Sequence, residues 1–216
     1  MLEYSDRKFI FMWLPKCAGG SILTALHTYY GDRCWWYNNQ WDNLVFDHQR
    51  TCVTFYHSHL PSLVQTGFLP AEWALGAFKF TFVRNPWDRL VSLYFWLKSR
   101  SYGWLPETFE QFIAAVVEGN YPSPGWKNEE GYTQANPMLS WLKPNGVWIP
   151  NFIGKFENLN EHWEALCSSL AIPYLPLPVC NTTDHKPYQE YYTPSTRDLV
   201  LQHYAKDISA FNYKFD

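Results

Sequence analysis

The segment "LPKCAGGSI" (14–22) sets a lysine, Lys16, ahead of a run of small residues and the start of a helix. Backbone N–H groups of Ala18, Gly19, Gly20 and Ser21 can converge on an anion there, because almost no side chain blocks its approach, and the helix dipole adds positive potential. A glycine-rich turn that serves chain geometry alone is the competing reading. The ATPase pattern GxxxxGK[ST] is absent, which disfavours a nucleoside triphosphate site of that type. In "FVRNPWDRLVSLY" (82–94), Arg84 leaves a strand end beside a helix N-terminus, and Ser92 lies two turns into that helix. A guanidinium fork and a hydroxyl could hold a second phosphate; Arg89 either assists or makes a structural ion pair. Two anion sites on adjacent strand ends predict a ligand with two separated phosphate groups. In "FYHSHLPSL" (55–63), His57 and His59 alternate along a strand end and are expected to face one side. A neutral imidazole there could take the proton of a hydroxyl. An HxH pair can also ligate zinc, but no third ligand stands at a fitting spacing, so no metal is expected. A purely structural histidine pair is the other alternative.

These residues need strand ends to carry them, and the chain supplies candidates. "KFIFMWL" (8–14) is a nearly continuous apolar run, as in a strand buried on both faces, and "GGSILTALHTYY" (19–30) follows as a helix closed by Gly31. "AFKFTFV" (77–83) is a second strand with its helix at 84–100, where Asn85 suits the N-cap, Pro86 the first turn and Asp88 the dipole. A third copy is "NFIGKFENL" (151–159) with a helix over 160–170, and "TCVTFYHSHL" (51–60) adds a strand ending in the histidines. Alternation of this kind predicts an α/β fold, a central, mostly parallel sheet flanked by helices. Between 101 and 150 the sequence predicts long loops around one helix, "ETFEQFIAAVVEG", and after 171 an extended, proline-punctuated stretch. One last helix is predicted over 193–211, capped by Thr193 or Ser195. No repeat or linker divides residues 1–216, which read as a single domain.

Composition narrows the partners. Net charge is −3, with 17 basic against 20 acidic residues, so binding of nucleic acid through overall charge is not expected. Five cysteines without compact spacing predict neither a disulfide framework nor a zinc site. "MLEYSDRKF" does not read as a signal peptide and no apolar run reaches membrane-spanning length, so a soluble protein in a reducing, cytoplasmic compartment is expected. Aromatic residues make up 19% of the chain. Many must be core, but rings in "CWWYNNQW" (34–41) and "SYGWLPETF" (101–109) stand among polar and turn residues, where they could stack on a sugar or a flat substrate.

"LPKCAGGSI" together with "FKFTFVRNPWDRLVSLY" resembles the sulfotransferases that use 3′-phosphoadenosine 5′-phosphosulfate (PAPS), in particular the group containing glycan sulfotransferases and bacterial relatives. The family motifs run approximately PKTAGTS and FVRNPYDRLVSxY. "IGKFENLNEHWEAL" and the C-terminal stretch from His185 are similar to further family segments, so the resemblance spans nearly the whole chain. It implies a P-loop-like sulfotransferase fold with PAPS as sulfuryl donor. Lys16 and the 17–21 loop (Cys17, Ala18, Gly19, Gly20, Ser21) would contact the 5′-phosphosulfate, and Arg84 and Ser92 the 3′-phosphate. Cys17 and Gly20 stand where threonines are usual. Lys16 would stabilise charge growing on the bridging oxygen, in an in-line transfer governed by positioning and electrostatics. No metal is needed, because the transferring group carries a single negative charge. Glycan-type members have histidines in the region of His57 and His59, one acting as the base; His59 is the first candidate and His57 the second.

Gln134 stands where relatives have a glutamine near the substrate, and Lys186 reads either as an anion contact or as a surface lysine. Asp184, His185 and Glu157 are weaker candidates, while His27, His48, His162 and His203 read as ordinary helix or loop residues. The acceptor is expected to be a hydroxyl-bearing sugar or small molecule, held under the loops of 30–50 and 101–150. A non-catalytic carbohydrate-binding protein with a vestigial loop and a nucleotide kinase of related fold are the rival readings.

Overall fold

A computed structural model describes residues 7–37, 46, 51–120, 131–180, 182 and 184–216. In chain order the elements are β1 (Phe9–Trp13), α1 (Gly19–Tyr30), β2 (Cys34–Tyr37), β3 (Cys52–Tyr56), α2 (Leu60–Gln65), α3 (Ala71–Gly76), β4 (Phe78–Val83), α4 (Pro86–Ser99), α5 (Phe109–Val117), α6 (Met138–Leu142), β5 (Phe152–Lys155), α7 (Leu159–Leu170), α8 (Pro194–His203) and α9 (Ala205–Phe211). They divide into two compact units, Met1–Val83 with Trp141–Cys180, and Arg84–Ser140 with Asn181–Asp216.

The first unit holds a five-stranded, all-parallel sheet in the order β2-β3-β1-β4-β5. β1 is central, and Phe9, Ile10, Phe11 and Met12 are buried on both of its faces, as its unbroken apolar run predicts. Phe11 stacks on Phe80 of β4 at 5.0 Å and on Trp13 at 6.2 Å, while Phe9 meets Tyr30 of α1 edge-on at 5.4 Å. Much of the aromatic content is therefore core. α1 packs against β2 and β3, and α7 against β5. Cys34 and Cys52 are register partners on β2 and β3, with both thiols free and their sulfurs 3.1 Å apart. Lys79 donates to the carbonyls of Leu75 and Ala77, a cation at the C-terminal end of α3.

The second unit is helical. As predicted, Asn85 caps α4: its side chain accepts from the Trp87 N–H at 3.1 Å and donates to the Lys214 carbonyl at 2.8 Å. Thr108 and Gln111 form a capping box on α5. The core joins Trp87, Tyr94, Phe109, Phe112, Val200 and Tyr204. Arg89, 1% exposed, donates to the carbonyls of Gln134, Ala135 and Asn136, and Tyr204 donates its hydroxyl to Ala135 as well. The buried Asp207 carboxylate accepts the N–H groups of Met138 and Leu139 at 2.6 and 2.9 Å, and so caps α6 from a distant part of the chain. Segment 134–139 is thus pinned by three side chains, and Arg89 is structural through backbone carbonyls in place of the expected ion pair.

Three expectations are corrected. The final helix is two, α8 and α9, because Tyr204 leaves helical geometry at φ −102°, ψ 19°. The strand expected over 151–159 is confined to Phe152–Lys155 and passes through a 3-10 turn, Phe156–Asn158, into α7. The stretch read as loop after α5 contains α6. Thr193 is the cap of α8, accepting from the Thr196 N–H.

Candidate active site

β1 and β3 run parallel with Trp13 and Tyr56 in register, so the loop leaving β1 and the turn leaving β3 emerge side by side at the C-terminal edge of the sheet. That edge is where open parallel sheets carry their ligands. β4 flanks β1 on the other side and ends at Val83, immediately before Arg84.

The loop after β1 turns sharply. Lys16 and Ala18 both hold positive φ, 65° and 63°, a conformation costly for residues with a Cβ and a frequent mark of functional loops. Between them Cys17 is buried and its thiol donates to the Pro15 carbonyl at 3.4 Å. Ala18 is the N-cap of α1 and supplies no side-chain acceptor, and the first turn holds no acidic residue. The positive end of the helix therefore has neither a side-chain cap nor a carboxylate in its own first turn, which suits it to an external anion. Gly19 leaves room for an indole: a Cβ there would lie 1.7 Å from the Trp13 Nε1, so the ring would have to move. The Gly20 carbonyl accepts from Thr24, and Ser21 is buried in the first turn.

The histidines are not on a strand. β3 stops at Tyr56, His57 occupies a turn at φ 51°, and His59 is the N-cap of α2, so the expected alternation is replaced by a turn. Both imidazoles are buried, at 5% and 7% exposure. The His57 Nδ1 lies 3.0 Å from the Trp13 carbonyl. A carbonyl can only accept, so Nδ1 carries the hydrogen and Nε2 the lone pair. Burial, reinforced by the nearby charge of Lys16, brings the His57 pKa down to about 3, so the ring is neutral at physiological pH. His59 meets Trp141 edge-on at 6.4 Å. The structure thus brings together Lys16, the small-residue loop and a neutral histidine of defined tautomer. Among the described residues no group of three or more His, Cys, Asp or Glu is arranged to hold a metal ion.

In the helical unit, the Arg84 Nε donates to Asp88 at 2.7 Å, which orients the guanidinium one turn into α4, and Ser92 is buried further along the same helix. Gln134 is buried, and its Oε1 has no protein hydrogen-bond partner among the described residues. Lys186 pairs with Glu190 at 3.1 Å on the surface, its side chain 72% exposed, which is the surface-lysine alternative. His185 bonds the Lys186 carbonyl through Nδ1 and stacks on Phe95. Glu157 is exposed, and His162 accepts the Lys155 N–H at the end of β5. Of the "SYGWLPETF" rings, Tyr102 is exposed and stacks on Trp104 at 5.3 Å. His48 and most of the proposed ring cluster at 34–41, with most of the 30–50 loop, lie outside the described residues or their side chains. Sequence reasoning missed Trp13 as a neighbour of both loop and histidine; its place on the face shared with Phe9 and Phe11 was the available signal.

No curated protein matches the chain. Among solved structures, mouse sulfotransferase SULT7A1 complexed with PAP is similar in fold, with a TM-score of 0.58 at 12% identity over 94% of this chain and 84% of that one. The sulfotransferase from Alicyclobacillus acidocaldarius gives 0.55 at 12% identity over 97% of each chain. The sequence model described as "Sulfotransferase family" matches residues 4–214. With the parallel sheet and the loop that leaves its central strand, this match establishes that the chain belongs to the sulfotransferase family.

Proposed function

We propose that this protein, acting as a single sulfotransferase domain, transfers a sulfuryl group from PAPS to a hydroxyl acceptor, a sugar or an aromatic small molecule. The observation that carries this reading is the pairing of the Lys16 loop with the neutral His57 at one sheet edge. PAPS supplies the sulfuryl group and an adenosine bisphosphate that leaves with the developing negative charge. The N–H groups from Ala18 to Ser21, uncontested by any acidic residue in the first turn of α1, hold the 5′-phosphate oxygens. Lys16 places positive charge where the bond to sulfur breaks.

Arg84 and Ser92 take the 3′-phosphate. Support comes from the family match across both motifs and from the position of Arg84 directly after β4, the sheet neighbour of β1. For the base we take His57, whose Nδ1–H on the Trp13 carbonyl leaves Nε2 as the proton acceptor beside the Lys16 loop; the burial that keeps the ring neutral also makes it a weak base until charge develops beside it. Gln134, with its orphaned buried Oε1, is a candidate contact for the acceptor.

The test is transfer of sulfur-35 from labelled PAPS to a panel of sugars and phenols in the presence of a chelator. Turnover that survives chelation supports the reading. Absence of transfer to every acceptor, with magnesium-dependent phosphoryl transfer from ATP instead, would establish the kinase alternative.

A further inference from the structure

Trp13, the last residue of β1, touches both halves of the candidate site. Its indole lies against the first residue of α1 so closely that Nε1, Cδ1 and Cε2 fall 1.7, 2.2 and 2.2 Å from where a Gly19 Cβ would be. Its carbonyl fixes the His57 Nδ1 at 3.0 Å, and its ring meets the His57 imidazole edge-on at 5.6 Å and 65°. The indole is itself anchored from below by the stack on Phe11, which lies on Phe80. A column of rings from the sheet core thus ends in a side chain wedged between the anion loop and the histidine.

We infer that Trp13 is a positioning residue: its ring sets the separation and orientation of the His57 imidazole relative to the Gly19 end of the loop. The inference rests on the reading of the loop as donor site and of His57 as base. A base accelerates transfer only if its lone pair lies within hydrogen-bond reach of the acceptor hydroxyl while the donor is held in line, and displacements near 1 Å cost roughly a hundredfold. The glycine at 19 is the counterpart of the indole: the backbone comes close because the ring fills the place of a side chain. The imidazole beside this ring is buried, which accords with its low pKa near Lys16 of the β1–α1 loop.

Two perturbations reach the wedge from opposite sides. Trp13→Leu removes the ring and keeps the backbone carbonyl; Gly19→Ala keeps the ring and forces it to move. Trp13→Phe is the milder substitute should Trp13→Leu not fold. The full chain, labelled with nitrogen-15 histidine, is titrated by NMR. In the unmodified chain the His57 signals should show the Nδ1–H tautomer and no protonation down to about pH 4. In either variant the titration midpoint should rise by at least about one pH unit and a second tautomer should appear, with kcat for sulfuryl transfer falling at least about tenfold and KM for PAPS changing less than about threefold. Folded variants whose His57 tautomer and midpoint match the unmodified chain would overturn the inference. A chain that transfers no sulfuryl group at all would instead overturn the proposed function, while the imidazole signals still decide whether Trp13 sets the ring.

Discussion

Acidification offers a direct test of the buried, neutral His57. In the unfolded chain this histidine titrates near its ordinary value of 6.5, whereas in the folded protein burial, aided by Lys16, brings it to about 3. Between those values the unfolded chain binds a proton that the folded one refuses, so stability falls as pH falls through this window and is fully present only above 6.5. Each pH unit below the upper value costs about 1.4 kcal/mol, so roughly 2.5 kcal/mol is lost between about pH 7 and about pH 4.5 through this group alone. His57→Asn isolates the contribution, because the asparagine amide can still donate to the Trp13 carbonyl but has no proton to gain. Urea denaturation followed by tryptophan fluorescence should show the gap between the unmodified chain and the variant shifting by roughly 2–3 kcal/mol in favour of the variant, about 1 M in midpoint. Parallel pH dependence in the two proteins would refute a neutral, buried His57.

Other substitutions separate chemistry from packing. Lys16→Ala should lower turnover by at least about a hundredfold while thermal stability changes little, since Lys16 is only partly buried; equal losses of both would make the lysine structural. Asp207→Asn should destabilise by about 3–5 kcal/mol in chemical denaturation, because an amide cannot accept both the Met138 and Leu139 N–H groups and the buried Arg89 loses its compensating charge. Thr108→Ala should cost about 1 kcal/mol through loss of the α5 capping box, with sulfuryl transfer unchanged.

Local signals predicted elements well where they were strong. α1 begins and ends at the predicted residues because its apolar positions keep helical spacing and Gly31, at φ 53°, ends it; α4 was announced by the Asn85–Pro86 pair. The all-parallel sheet followed from strand–helix alternation. The histidines depart from the expected strand for a local reason: the apolar run ends at Tyr56, Pro61 fits the first turn of a helix, and the chain turns at His57 before reaching it. The break at Tyr204 has a tertiary cause, a hydroxyl drawn to the Ala135 carbonyl and a ring under Arg89. Asp207 could not be read at all, since a carboxylate in a polar helical stretch resembles a surface residue until its partners, 69 and 68 positions away in sequence, are known. Within the site, the loop was legible from its small residues. The contact of Trp13 with Gly19 and His57 was not, because it depends on the register of β1 with β3.

The central claim, that one nucleotide is held by its 5′ end at Lys16 and by its 3′-phosphate at Arg84, is tested most directly by calorimetry without divalent metal. 3′,5′-Adenosine bisphosphate and 5′-adenosine monophosphate are titrated into the unmodified protein and into Arg84→Ala. A charge-assisted contact of about 1.5–3 kcal/mol predicts that the bisphosphate binds roughly 10- to 150-fold more tightly than the monophosphate, and that Arg84→Ala removes most of that preference, Ser92 keeping the rest, while leaving monophosphate affinity intact. Equal affinity for the two nucleotides in the unmodified protein, or no binding of either, would contradict it.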